Sequence, residues 1–255
     1  MLLALDIGNS DITVGLWKDK EWKHVWRIAS RPDLPELYFG VKIRDYFFES
    51  GNAVNQVKTI VLSSVKKKKK EKIKSVTRSL FGKEAIVLGP MVYDKLSMQV
   101  LNPYEIGSDL VANAAAAYFK HKQTCIVVDF GTALTFTTVS GTGKILGVSI
   151  APGLKTATRS LSQNTAKLFD VPLEIPASAL GKNTITAIQS GILIGYEGLV
   201  KNVVTKIQAE LNEPCLVVAT GGLSSVITPL GNFFNSIEPN LTLDGLRIIG
   251  EQVSA

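Results

Sequence analysis

The stretch Leu2-Leu3-Ala4-Leu5-Asp6-Ile7-Gly8-Asn9-Ser10 decides the fold. An apolar run ends in a carboxylate, a glycine follows two residues later, and Ile12, Val14 and Leu16 then alternate along the next segment. That pattern predicts a buried strand, a tight turn at Gly8 and a second strand returning beside the first. The stretch recurs once. Cys125-Ile126-Val127-Val128-Asp129-Phe130-Gly131-Thr132 aligns with Leu2 to Asn9, so that Asp129 falls on Asp6 and Gly131 on Gly8. Two halves that each open on strand, Asp-x-Gly and hairpin imply a duplicated α/β domain with a cleft between the copies. The halves are expected to span residues 1–118 and 119–255, meeting through a helix rather than a flexible tether.

Outward from these turns, strands alternate with helices, which argues for α/β layers rather than a sandwich or a bundle. Residues 2–17 and 22–28 read as a three-stranded meander carrying Trp17, Trp22 and Trp26 on a sheet face. Residues 34–50 read as a helix with Leu37, Val41, Ile43 and Phe47 as its apolar positions. Thr59–Ser64 is a short buried strand ending in hydroxyls; a helix to Phe81 and a strand at 85–88 follow. An Ala-rich helix is expected over 109–120 with Ser108 as its N-cap. In the second half come a hairpin over 124–150, a helix to about Leu168, and helical periodicity from Thr184 to Leu211. A strand running into Thr220-Gly221-Gly222 and a last helix over 243–253 complete the pattern.

Composition narrows the function classes. The chain of 255 residues is 45% hydrophobic and 20% charged, with room for a large core. No apolar run approaches the ~18 residues that span a membrane, and Asp6 interrupts an N-terminal run that lacks a basic flank, which argues against a secretory signal. Cys125 and Cys215 lie in strand-like runs and read as reduced core residues of a cytoplasmic protein. The net charge of +6 is concentrated in Lys66–Lys70, Lys72, Lys74 and Arg78. Without interleaved aromatics, this run reads as the solvated face of a helix rather than a nucleic-acid surface. With only His24 and His121, a cluster of three or more histidines around a metal is excluded.

The chemistry gathers at three glycine turns, at Asp6–Ser10, Asp129–Thr132 and Thr220–Gly222. Glycine lets backbone N–H groups approach an oxyanion, Ser or Thr adds a donor, and an Asp at a strand end can hold the Mg²⁺ that accompanies phosphate. The arrangement resembles the superfamily of acetate and sugar kinases, heat-shock chaperones and actin. That implies duplicated ribonuclease H-like (actin-like ATPase) domains with an interdomain nucleotide cleft. Within it, the chain resembles the type III pantothenate kinase family nearly end to end. Asp6-Ile7-Gly8-Asn9-Ser10 is close to the family's Asp-x-Gly-Asn-Thr, Gly107-Ser108-Asp109 to its Gly-x-Asp-Arg, and Asp129–Ala133 to its second phosphate-side motif. Pro152-Gly153-Leu154, Asn164–Leu168, Gly181–Thr184 with Gln189–Gly191, and Leu241–Leu246 follow in family order.

The resemblance implies ATP-dependent phosphorylation of the primary hydroxyl of pantothenate, the first step of coenzyme A synthesis, by a cytoplasmic homodimer. On matched positions Asp6, Gly8, Asn9 and Ser10 would hold phosphates, with Asp6 on Mg²⁺. Thr132, Gly221 and Gly222 would complete the ATP site. Asp109 would be the general base, and Asp129 a ligand of a monovalent cation, K⁺ or NH₄⁺. Gly107, Ser108, Leu110 and Thr184 would line the pantothenate site. At a helix N-terminus the Asp109 carboxylate is expected to be favoured by the dipole, which would make it a weak base.

Several family positions are altered. Leu110 stands for the family Arg, Val100 for a Tyr, Leu134 for a Thr, Val148 for a Gly, and Lys66-Lys67 for Val-Pro. Loss of an Arg–carboxylate bond removes about 1.5–3 kcal/mol, roughly 10- to 150-fold in affinity. The departures leave open a second reading, a degenerate paralogue acting as a regulatory or nucleic-acid-associated accessory factor.

Overall fold

A computed structural model describes residues 1–30, 34–165 and 167–254; Ala166, within the quoted Asn164–Leu168 block, lies outside the described residues. The chain forms two compact units, Met1–Phe119 with Leu241–Ala255, and Lys120–Asn240.

The first unit is built on a five-stranded sheet in the order β3-β2-β1-β4-β5. Strands β1 (Leu2–Ile7), β2 (Asp11–Lys18) and β3 (Glu21–Ala29) form the expected meander, and β4 (Thr59–Ser64) and β5 (Ile86–Val87) add in parallel. Period-2 alternation divides β1 between two layers. Leu3, Leu5 and Ile7 pack with Phe39, Ile43 and Phe47 of α1 (Glu36–Glu49) and Ile73 and Val76 of α2 (Lys67–Phe81). Residues on the opposite face meet α8 (Leu241–Ser254), where a Cβ at Gly250 would run into Val61 and approach Leu2. The last helix therefore belongs with the first sheet, unlike a simple cut of the chain near residue 118. Gly245 lets α8 press on the backbone of Ala112 in α4 (Ser108–His121), and Ala112 and Ala114–Ala117 are buried; small side chains on both helices allow the close approach.

The second unit repeats the frame in the order β10-β9-β6-β7-β8. Here β6 (Cys125–Phe130), β7 (Ala133–Val139) and β8 (Ile145–Pro152) form a meander of three strands where a hairpin was expected, and β9 (Leu216–Thr220) pairs parallel to β6. A short β10 (Ser236–Ile237) extends β9. Ile126, Val128, Phe130, Leu134 and Phe136 form a core with Leu154 of α5 (Leu154–Asn164) and with Leu193, Tyr196 and Val200. The helix that follows Pro152 ends at Asn164, short of the expected Leu168, because Thr165 turns extended. The Thr184–Leu211 periodicity resolves into α6 (Thr184–Gln189), a π-helical turn over Ser190–Ile194 and α7 (Gly195–Leu211). A short helix α3 (Pro90–Tyr93) in the first unit was not legible.

Candidate active site

The two Asp-x-Gly turns occupy equivalent places in the two sheets. Asp6 lies at the end of the central strand of the first, opposite Thr13 of β2 and Ser63 of β4. Asp129 lies at the end of the central strand of the second, opposite Thr135 of β7 and Thr220 of β9. Directly paired residues share a face. Each carboxylate is thus flanked by a hydroxyl residue on either side, a symmetry that strand pairing makes visible and linear sequence hides.

In the first unit the turn closes when Gly8 N–H donates to Asp11 O at 2.9 Å, leaving Asn9 and Ser10 exposed. Ser63 Oγ hydrogen-bonds Ser108 Oγ at 2.9 Å, and Ser64 N–H donates to the same oxygen at 3.1 Å. Ser108 is therefore the first residue of its helix, held by β4, rather than the N-cap that spacing predicted. This tie carries Asp109, the next residue, to the same end of the sheet as Asp6. Gly107 makes room for it, since a Cβ there would stand 2.5 Å from Asp109 Oδ1. Leu110 N–H donates to Oδ1 at 3.0 Å, and the Leu110 side chain is 7% exposed, part of the core.

Electrostatics at Asp109 reverse the dipole expectation. Burial raises its pKa above the ordinary 3.8, although the N–H groups of Leu110 and Asp109 pull the other way. Removing a carboxylate from water here outweighs the helix terminus. The shift makes Asp109 a stronger base. Tyr93, a buried residue of α3, has its phenol pushed up to about 12 by burial and then by the Asp109 charge, so it stays neutral.

The second turn is furnished by backbone. Gly221 has φ +91°, and a Cβ on it would stand 2.5 Å from Asp129 Oδ1, so the Thr220-Gly221-Gly222 turn lies against that carboxylate. Gly153 N–H donates to Thr132 O at 3.0 Å, and a Cβ at Gly153 would run into the Gly131 and Thr132 backbone. Thr156 Oγ1 donates to Thr132 O at 2.7 Å, leaving the Thr132 side chain exposed. Thr135 Oγ1, across from Asp129, is buried and finds no hydrogen-bond partner among the described residues. Thr184 opens α6, exposed, behind an Asn183 cap closed reciprocally with Thr186. Among the altered positions, Leu134 is 1% exposed and packs in the second core.

Sequence reading noted the hydroxyls that end the Thr59–Ser64 strand without giving Ser63 a role, passed over Thr135 and Tyr93, and took the lysine run as the solvated face of a helix. Lys69 is instead 8% exposed. Its Nζ donates to Ser30 O at 2.6 Å and to Ser30 Oγ. No sequence signal distinguishes it from its neighbours in the run.

Two sheets of one topology, each with Asp-x-Gly at the end of its central strand, define the class: the duplicated ribonuclease H-like fold of sugar kinases and actin-like ATPases. A putative N-acetylglucosamine kinase from Porphyromonas gingivalis superimposes with TM-score 0.53 at 12% identity, covering 100% of both chains. A structure described as a conserved putative Baf family transcriptional activator from Campylobacter jejuni gives TM-score 0.60 at 20% identity, over 99% of this chain and 98% of that one. At such identities both likenesses speak to fold alone. Residues 2–206 match the type III pantothenate kinase family. The type III pantothenate kinase of Geobacter sulfurreducens is 36% identical over 252 residues, 99% of each chain. The chain belongs to the type III pantothenate kinase family.

Proposed function

We propose that the protein transfers the γ-phosphoryl group of ATP to the primary hydroxyl of pantothenate, giving 4′-phosphopantothenate at the entry to coenzyme A synthesis. The observation that carries this, beside family membership, is the half-buried Asp109 carboxylate, packed against Gly107 and following the Ser108 tie to β4, at the Asp6 end of the first sheet. No finding favours the degenerate accessory reading. The hydroxyl attacks the γ-phosphorus and gives its proton to Asp109, while the bond to the β-phosphate oxygen breaks and ADP leaves. Such transfer depends mainly on alignment and charge neutralisation. Asp6, Gly8, Asn9 and Ser10 would hold phosphates with Thr132, Gly221 and Gly222, and Gly107, Ser108, Leu110 and Thr184 would face pantothenate.

Among the described residues no group of three or more His, Cys, Asp or Glu stands ready for a metal. A site of one carboxylate, Asp6, with nearby hydroxyls fits Mg²⁺, which is usually bound through one or two carboxylates plus substrate phosphates. Bound there, the ion would neutralise phosphate charge. Asp129 opposite the unpartnered Thr135 hydroxyl offers hard oxygen donors suited to a monovalent cation, K⁺ or NH₄⁺.

The reading extends to two actin-like ATPase halves, the first completed by the C-terminal helix, a homodimer and a cytoplasmic site. The dimer is supported by exposed apolar side chains on the second unit, Ile150 at 69% and Leu180 at 80%. The cytoplasm is supported by two free cysteines, Cys125 and Cys215. Among the described residues no helix is long and apolar enough to cross a membrane. Mass spectrometry of the product of Mg²⁺-ATP and pantothenate tests the activity. A phosphorylated pantothenate formed by the native protein and not by Asp109→Asn supports it; unchanged pantothenate with the native protein refutes it.

A further inference from the structure

Lys69 is a buried ammonium whose hydrogen bonds, among the described residues, go to one serine and to no carboxylate. Keeping a charge out of water is costly unless an anion or good acceptors compensate. Burial lowers its pKa below the ordinary lysine value, and the neighbouring Lys66 and Lys72 add to the effect.

What the ammonium holds explains its presence. Ser30 N–H donates to Ser10 O at 2.7 Å, and Ser30 Oγ donates to Gly8 O at 3.2 Å. Ser30 thus grips the carbonyls at both ends of the turn expected to hold phosphate, and Lys69 grips Ser30. Because a trans peptide is planar, anchoring the Gly8 carbonyl towards Ser30 points the Asn9 N–H the opposite way. The chain Lys69 N–H to Ser30 O–H to Gly8 C=O polarises in one direction and strengthens that N–H as a donor. Lys66, from the same end of α2, reaches the next carbonyl, Asn9 O, at 3.4 Å. Successive peptides of the turn are therefore oriented by the start of one helix.

We propose that Lys69 is a positioning residue for the kinase reaction: through Ser30 it locks the Gly8–Ser10 turn with the Asn9 N–H presented to a nucleotide phosphate. The inference rests on the proposed function and adds to it a residue outside the matched motifs.

The test is calorimetric titration of the full-length protein with Mg²⁺-ADP, beside thermal melting and steady-state kinetics, for Lys69→Met, Ser30→Ala, the double variant and Lys74→Met. Lys69→Met should weaken nucleotide binding about 10-fold or more, as expected for a hydrogen bond to a charged group, with KM for pantothenate unchanged. Ser30→Ala, which removes the hydroxyl through which Lys69 acts, should weaken it by a similar factor, and the double variant no more than Lys69→Met, because the two act in series. Lys74→Met, which removes an equal charge from an exposed pair with Glu71, should bind as the native protein does. A lower melting temperature with native nucleotide affinity in Lys69→Met overturns the proposal, as does an equal loss in Lys74→Met. Should Lys69→Met fail to fold, Ser30→Ala decides, and native affinity there overturns it. A native protein that binds no nucleotide overturns the functional reading as well, which separates the two failures.

Discussion

The two Asp-x-Gly turns occupy equivalent places in the two sheets and are equipped differently. Both place a carboxylate between hydroxyl residues, Thr13 and Ser63 in the first unit, Thr135 and Thr220 in the second. The first hairpin is a residue longer, since Ile7 pairs with Ile12 while Phe130 pairs with Leu134, and the extra length carries Ser10. Behind the first turn stand Lys66 and Lys69, and the half-buried Asp109 lies at the same end of the sheet. Around the second, contacts come from glycines and carbonyls at Gly153 and Gly221. On the proposed function, the first turn would bring charge and the proton acceptor and the second a backbone cradle. Phosphoryl transfer needs both, and a duplicated fold can give one task to each copy.

The contrast is broken most severely at Asp109. Asp109→Asn should lower kcat about 10²- to 10⁴-fold, the usual worth of a general base, in steady-state assays. The same change should raise thermal stability at neutral pH. A carboxylate whose folded pKa lies above the unfolded 3.8 destabilises the fold as pH rises through that range, and Asn removes the cost. Melting curves of the two proteins should therefore separate at neutral pH and converge at acid pH. In the native protein, the acid limb of kcat/KM should lie above the ordinary carboxylate pKa of about 4.

Next in size is the cradle. Gly221→Ala puts a side chain at φ +91° against Asp129 and the Phe130 backbone, which should cost about 1–3 kcal/mol of stability and weaken nucleotide binding. Asp129→Asn should remove any difference in rate between K⁺ and a bulky organic cation, while leaving Mg²⁺-ADP binding measurable by titration. The smallest effect is expected at Gly8→Ala. Its Cβ would meet only Asp11 O at 3.1 Å, at a φ outside the left-handed region, so melting should shift by less than about 1 kcal/mol. If Gly8→Ala proved as damaging as Gly221→Ala, the division between a charged turn and a backbone turn would be wrong.

The frame was readable because a buried strand ending in Asp-x-Gly appears twice, and strand periodicity needs only local sequence. Helix faces were less so. On α1, Phe39, Ile43 and Phe47 are buried, while Leu37 and Val41, expected inside, are 76% and 45% exposed. Two apolar stripes share that helix, and sequence does not say which meets a sheet. The return of α8 to the first unit depends on a glycine fitting Ala112, a contact more than a hundred residues away in sequence. At the site, residue types and order were legible but their electrostatics were not. The dipole reading of Asp109 was sound locally and was overruled by desolvation, which depends on everything packed around the group. Lys69 was one lysine among eight basic residues until Ser30 appeared beside it.

The central claim is a pantothenate kinase whose base is Asp109, and the most direct test is ADP release from the purified protein with Mg²⁺-ATP and K⁺, with and without pantothenate. The account predicts ADP release that depends on pantothenate and disappears in Asp109→Asn. Release indifferent to pantothenate, or silence from a native protein that still binds nucleotide, would contradict it.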